Sequence, residues 1–230
     1  MTTAPSIVEI CPWCADPTPA VPGRYFCEPH LAEHEARARQ AREREAQQNR
    51  GSWLDDVGVP RGLQGISFSS VEETRCVQLV REYRPRVVAG RALVLLGPTG
   101  VGKTVATVAL LDSLLPDLQV RQRYELGPTL VRQLGDFSVR NQALKRCARV
   151  RLLVIDDLPS HRDDERAAAL IEELLVVRES ERRATLITSN VAPQRLETLL
   201  GDRVRDRLRS WGSVEAVAGP SLRRAPEVTG

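Results

Sequence analysis

Lysine is almost missing from this sequence. Only Lys103 and Lys145 occur, and every other member of the 33 Lys and Arg residues is Arg. A general drift toward arginine accounts for the bias. Against it, a lysine kept inside a glycine-rich loop marks a place that needs a compact point charge rather than a planar fork. Long apolar runs are missing too, and none approaches the length of a membrane span. The N-terminus lacks the charged and apolar regions of a signal peptide. Both absences predict a soluble, cytoplasmic protein with no membrane partner. There are no internal repeats. No strong charge of one sign appears either: the net charge of +3 neither requires nor excludes a nucleic-acid partner. The five cysteines, in a reducing compartment, read as thiols or metal ligands rather than disulfides.

What is present is enough for one full-sized domain and a small appendage. The chain has 230 residues, 42% of them hydrophobic. Residues 1–30 are rich in Cys and Pro and show no helical or strand period. Residues 31–52 are charged and rich in Ala and Gln with almost no apolar face, the mark of an exposed helical linker. Gly51 and Ser52 punctuate its end. From Trp53 onward the pattern is that of a packed domain, 53–230. Strands are expected at Arg91–Leu96, Leu118–Tyr124, Arg151–Ile155, Ala184–Thr188 and near Val214–Val217. Helices are expected from Lys103 to about Leu115, near Pro128–Leu134 and Val139–Ala148, from Asp164 to about Glu181, and through Leu196 and Leu199. Strands alternating with helices imply an α/β domain with a parallel sheet covered on both faces. Cys76 and Cys147 fall in apolar helical context and read as small core residues.

The strongest chemical signal is Gly97-Pro98-Thr99-Gly100-Val101-Gly102-Lys103-Thr104, between an expected strand and an expected helix. Glycines let backbone N–H groups approach phosphates, and the helix aims its positive end at them. Lys103 is then placed to reach the β- and γ-phosphates of ATP, and the Thr104 hydroxyl to bind Mg²⁺. Leu152-Leu153-Val154-Ile155-Asp156-Asp157 has the form of a Walker B strand, with its carboxylates at the C-terminal edge where ligands sit in such sheets. Asp156 is expected to hold Mg²⁺, directly or through water, and Asp157 to polarise the attacking water. In Leu186-Ile187-Thr188-Ser189-Asn190 a strand ends in polar residues, and the Asn190 amide is suited to orienting water beside the γ-phosphate.

Two further clusters carry weaker signals. Arg203 and Arg207 share a helical face at i,i+4, either as an arginine finger toward a neighbouring subunit or as a solvated face paired with Asp202 and Asp206. Cys11-Pro12-Trp13-Cys14 and Cys27-Glu28-Pro29-His30 form two knuckles with Zn²⁺-ligand spacing. Three thiolates and one imidazole suit a closed structural site, and the metal would supply folding energy that so short a segment lacks. His34 is a spare ligand candidate.

The order GPTGVGKT, LLVIDDL, LITSN and GDRVRDRLRSW resembles the AAA+ ATPases of the bacterial helicase-loader type, DnaC and DnaI, and the related transposition helper IstB. The resemblance covers about Asp55 to Arg224, with Gly58-Val59-Pro60-Arg61 ahead of the core and Arg178 before the TSN strand. It implies an αβα AAA+ core with little or no C-terminal lid, self-association through the ATP site, Asn190 as the sensor 1 residue, and Arg207 before Arg203 as the arginine finger. It also implies single-stranded DNA contact by the paired helices ahead of the Walker B strand, which here hold Arg132, Arg140, Lys145 and Arg146. Beyond Phe137 those helices lack an aromatic stacking platform, so backbone charge contacts are expected to dominate. Asp157 stands where many AAA+ enzymes carry Glu. Gly219-Pro220-Ser221-Leu222-Arg223 resembles the Gly-x-Ser-x-Arg ending of the family. The zinc segment favours a loader that grips a hexameric replicative helicase; the alternative is a helper that binds duplex DNA and a transposase.

Overall fold

The computed structural model describes residues 9–10, 17–18, 28–117, 120–159, 165–195 and 202–222. The chain divides into two units, Met1–Asn49 and Arg50–Gly230. In the first, β1 (Glu9–Ile10) and β2 (Pro17–Thr18) pair antiparallel, Glu9 opposite Thr18. The helix α1 (Glu28–Gln48) is built from Ala, Glu, Gln and Arg, all good helix formers. With no apolar stripe to bury, it carries surface pairs instead: Glu33–Arg37 at 2.6 Å and Arg39–Glu43 at 3.0 Å. Such exposed i,i+4 pairs add about 0.3–0.5 kcal/mol each. The helix starts at Glu28, so His30 stands in its first turn.

The second unit runs α2 (Arg50–Val57), α3 (Arg75–Tyr83), β3 (Ala92–Leu96), α4 (Lys103–Ser113), β4 (Gln122–Leu126), α5 (Gly127–Gly135), α6 (Arg140–Arg149), β5 (Leu152–Asp156), α7 (Glu165–Ser180), β6 (Ala184–Ser189), α8 (Asp202–Trp211) and β7 (Gly212–Ala216). The five strands β3 to β7 form one parallel sheet in the order β4-β5-β6-β3-β7. β4 begins later than its own apolar residues suggest. Its extent follows its partner: Gln122 pairs with Leu152 and Leu126 with Asp156.

Alternation along each strand feeds two cores. Leu93, Leu95, Leu152, Val154 and Leu186 pack on one face with Cys76, Val80, Leu110 and Leu111. Ala92, Val94, Leu96, Leu153, Ile155 and Ile187 pack on the other with Leu130, Leu134, Cys147, Leu175 and Trp211. Burial on both faces is what the continuous apolar strands demanded. Cys76 and Cys147 are both fully buried, and burial pushes the Cys147 thiol up to about 12. They are inert core residues.

A charged residue sits in that second core. Arg178, at the end of α7, is fully buried. Its guanidinium donates to Cys147 O at 2.6 Å, Val150 O at 3.0 Å, Thr185 Oγ1 at 2.8 Å and Ala184 O. It ties the end of α6 to the starts of β5 and β6. A planar fork can satisfy that many acceptors at once, and lysine cannot.

The chain leaves β3 for the far edge at β4, returns through β5 and β6, and finishes with β7 on the other side of β3. The strand order therefore reverses beside β3. In open parallel sheets the crevice at such a reversal, past the C-terminal strand ends, is where ligands bind.

Candidate functional site

The loop from Gly97 to Gly102 crosses that crevice between β3 and α4. Its first glycine donates its N–H to Ser189 O at 3.2 Å and accepts very close backbone from the other side: a Cβ on Gly97 would lie 2.1 Å from Val217 O. Gly100 has φ 89°, and a Cβ there would lie 2.2 Å from Ser221 Oγ. Leu222 N–H then donates to Gly100 O at 2.9 Å. The Gly-x-Ser-x-Arg ending thus lies against the loop, which its position in the sequence did not reveal; Arg223 is outside the described residues. Gly102 stands at the N-cap of α4 and offers no side chain to cap it. Its positive end is left for an anion.

Lys103 is 8% exposed. Its ammonium donates to Gly97 O at 2.7 Å and Pro98 O at 2.8 Å. These are neutral acceptors, and a phosphate oxygen is a stronger one. A cavity of about 320 Å³ opens over the loop, lined by Thr99, Gly100, Gly102, Lys103 and Thr104, by Asp156, Asp157 and Thr188, and by Pro60, Leu63, Tyr124 and Leu126 among others. Val101, in the same loop, is buried in the first core.

Asp156 is the centre of the polar end. It is 2% exposed and accepts three hydroxyl protons. Thr104 Oγ1 and Tyr124 OH each donate to Oδ2 at 2.8 Å, and Thr188 Oγ1 donates to Oδ1 at 2.6 Å. Burial, reinforced by the Asp156 and Asp157 carboxylates, pushes the Tyr124 phenol far above its ordinary range, so it stays a donor. Asp157 is exposed, lines the cavity and takes the left-handed backbone, φ 55°. Its N–H donates to Thr188 Oγ1 at 2.8 Å. Holding a non-glycine residue there costs on the order of 1 kcal/mol, and such strain gathers at functional sites. The donor set suits Mg²⁺: oxygen ligands only, from a Thr hydroxyl and one carboxylate, beside the phosphate loop.

The TSN strand contributes differently from its reading in sequence. Thr188 reaches Asp156, Ser189 Oγ donates to Leu158 O at 2.7 Å, and Asn190 is exposed just past β6, outside the cavity lining. Tyr124 and Thr188 are the residues that sequence reasoning missed. Their only local signal is a polar group at the end of a strand.

On α8, Arg203 is exposed. Arg207 is ion-paired with Glu179 of α7. Of the four basic residues on α5 and α6, Arg132 and Lys145 are exposed. Arg140 donates to Leu134 O at 2.9 Å and lies 4.1 Å over the ring of Phe137, which is 70% exposed. Arg146 is engaged internally. It donates to Glu125 Oε1 and Gln133 Oε1, both at 2.8 Å, and Arg123 donates to the same Glu125 oxygen at 2.8 Å. Cys11, Cys14 and Cys27 lie outside the described residues. Among the described residues no group of three or more His, Cys, Asp or Glu is placed to hold a metal ion. No helix among them is long and apolar enough to cross a membrane.

A strand, a glycine loop, an uncapped helix and a buried carboxylate at the reversal of a parallel sheet define a P-loop nucleotide-binding protein. The model of the IstB-like ATP binding protein family matches residues 26–226, and the chain belongs to that family. No curated protein matches the chain. Among solved structures it is similar to the DnaC helicase loader, at 22% identity and TM-score 0.59, covering 69% of this chain and 100% of that one. It is similar to DnaI at 25% identity and TM-score 0.60, covering 72% and 95%. It is also similar to the replication initiator DnaA bound to AMPPCP and single-stranded DNA, at 17% identity and TM-score 0.57, covering 68% and 50%. The fold is thus that of an AAA+ ATP-binding domain of the DnaC/IstB type.

Proposed function

We propose that this protein is an ATP-dependent loader of a hexameric replicative helicase, which binds ATP and single-stranded DNA and hydrolyses ATP. The observation that carries the ATPase reading is the cavity in which Lys103, Thr104 and Asp156 converge on the uncapped start of α4. Lys103 exchanges its two loop carbonyls for the β- and γ-phosphates. Thr104, whose hydroxyl donates to Asp156, and Asp156 itself would hold Mg²⁺. When bound, Mg²⁺ neutralises charge on the phosphates. Asp157 polarises the attacking water, and Asn190 orients it once its exposed amide turns toward the γ-phosphate. Arg207, with Arg203 second, completes the site of a neighbouring subunit, so the protein self-associates through its ATP site. The structural likeness to DnaC and DnaI supports the loader reading. The family description favours a second reading, an IstB-like transposition helper binding duplex DNA and a transposase. A pull-down from native lysate tests the choice: a hexameric helicase in the eluate supports the loader, and a transposase overturns it.

The N-terminal unit is proposed to bind the helicase through one Zn²⁺ held by Cys11, Cys14, Cys27 and His30. Elemental analysis of protein purified without chelator is expected to give one zinc per chain, and replacing Cys11 and Cys14 by Ser to remove it while sparing ATP binding. A folded, metal-free N-terminus refutes the site.

Single-stranded DNA is proposed to follow the exposed charges of α5 and α6. Each lost phosphate contact lowers the slope of log affinity against log salt by about 0.7 for a single strand. The double change of Arg132 and Lys145 to Ala is therefore expected to lower it by about 1.4. Arg146→Ala is expected to act on stability instead, because it leaves a partner of the buried Glu125 unmet. A slope unmoved by the double change makes these residues a solvated face only.

A further inference from the structure

Asp156 receives more support than a metal ligand needs to stay in place. A carboxylate has about four lone-pair positions. Two on Oδ2 are taken by Thr104 and Tyr124, and one on Oδ1 by Thr188. The three donors come from α4, β4 and β6, so the carboxylate is fixed against both the loop and the sheet. The phenol differs from the other two. Thr104 stands in the first turn of α4 and would itself be a ligand of Mg²⁺, and Thr188 also takes the Asp157 N–H at 2.8 Å. Tyr124 sits beneath the cavity, 2% exposed, with its ring in the core and only its hydroxyl at the polar end. An apolar residue of the same shape would fill that core equally well. The hydroxyl is there for Asp156.

We propose that Tyr124 is a positioning residue for magnesium binding, and that its hydroxyl locks the Asp156 carboxylate in one rotamer with Oδ2 filled. Asp156 would then meet Mg²⁺ or its water shell as a carboxylate already fixed in place, with an Oδ1 lone pair not taken by these three hydroxyls. The proposal rests on the ATPase reading above. Partners that orient a metal-binding carboxylate are commonly worth 10- to 100-fold in metal affinity.

The test is Tyr124→Phe, which keeps the ring and removes only the donor. A fluorescent non-hydrolysable ATP analogue is bound to the full chain, first in excess EDTA and then across a Mg²⁺ titration. The expected result is unchanged affinity in EDTA and a Mg²⁺ midpoint raised at least about tenfold. The EDTA arm shows that the cavity is still formed. A midpoint equal to or below the parent's overturns the proposal. Equal weakening with and without Mg²⁺ also overturns it, since the phenol would then hold the cavity rather than the carboxylate. If the parent itself shows no Mg²⁺ dependence, the ATPase reading falls and the proposal with it; if the parent does and the variant matches it, the proposal alone falls.

Discussion

Arg207→Ala is expected to bind ATP almost as the parent does and to hydrolyse it about 10³ to 10⁵ times more slowly. That is the range by which an arginine finger accelerates phosphoryl transfer. Binding should survive because Lys103, Thr104 and Asp156 belong to the variant's own intact cavity. Turnover should fail because the charge that stabilises the transition state comes from a neighbour. Three corollaries follow from action in trans. Specific activity of the parent rises with protein concentration. Mixing Arg207→Ala with Lys103→Ala restores activity, since one chain brings an intact loop and the other an intact finger. Arg203→Ala, run in parallel, loses less.

The ion pair to Glu179 sharpens this test. Arg207 must leave that carboxylate to reach a neighbour, and a half-exposed pair is worth only about 0–1 kcal/mol, so its release is a small obstacle. Glu179→Gln should therefore leave turnover at the parent level or raise it modestly. If Arg207 is merely a tie between α7 and α8, both Arg207→Ala and Glu179→Gln melt at lower temperature and turn over ATP normally per folded molecule, with no rescue on mixing. That outcome removes the oligomeric model.

Lys103→Ala is expected to lose ATP affinity by about 10²-fold and to abolish measurable turnover. A hydrogen bond to a charged group contributes about 1.5–3 kcal/mol, and each 1.4 kcal/mol is tenfold in affinity. Two phosphate contacts at the upper end of that range total about 6 kcal/mol, and the Gly97 and Pro98 carbonyl bonds given up to make them, at its lower end because their acceptors are neutral, return about 3, which leaves a net loss of about 3 kcal/mol. The fold should persist, because the loop is also held by Ser189, Val217 and Leu222. Isothermal titration with ATP and Mg²⁺, with a thermal melt on the same sample, checks both halves. Affinity within threefold of the parent's would mean that Lys103 keeps its loop carbonyls in the bound state.

The strands, the glycine loop and the placing of Lys103, Thr104 and Asp156 were legible in the sequence because each is a local matter. An apolar run of strand length, glycines at fixed spacing and a carboxylate at the run's end are set by neighbours along the chain. Strand order and register were not legible. Nothing in Gln122–Leu126 by itself says that β4 starts opposite Leu152.

The same division runs through the site. The sequence by itself determined that a P-loop and an acidic strand end exist, since backbone geometry follows residue order. Only the tertiary structure decided which side chains meet them. Tyr124 and Thr188 converge on Asp156 across three elements, Glu179 takes Arg207 from another helix, Glu125 takes Arg146 out of the exposed basic set, and the segment ending at Leu222 closes on Gly100. Each of these contacts joins residues far apart in the chain. Their pairing depends on how strands and helices stack, which burial on both faces of the sheet fixes and which spacing along one dimension does not record.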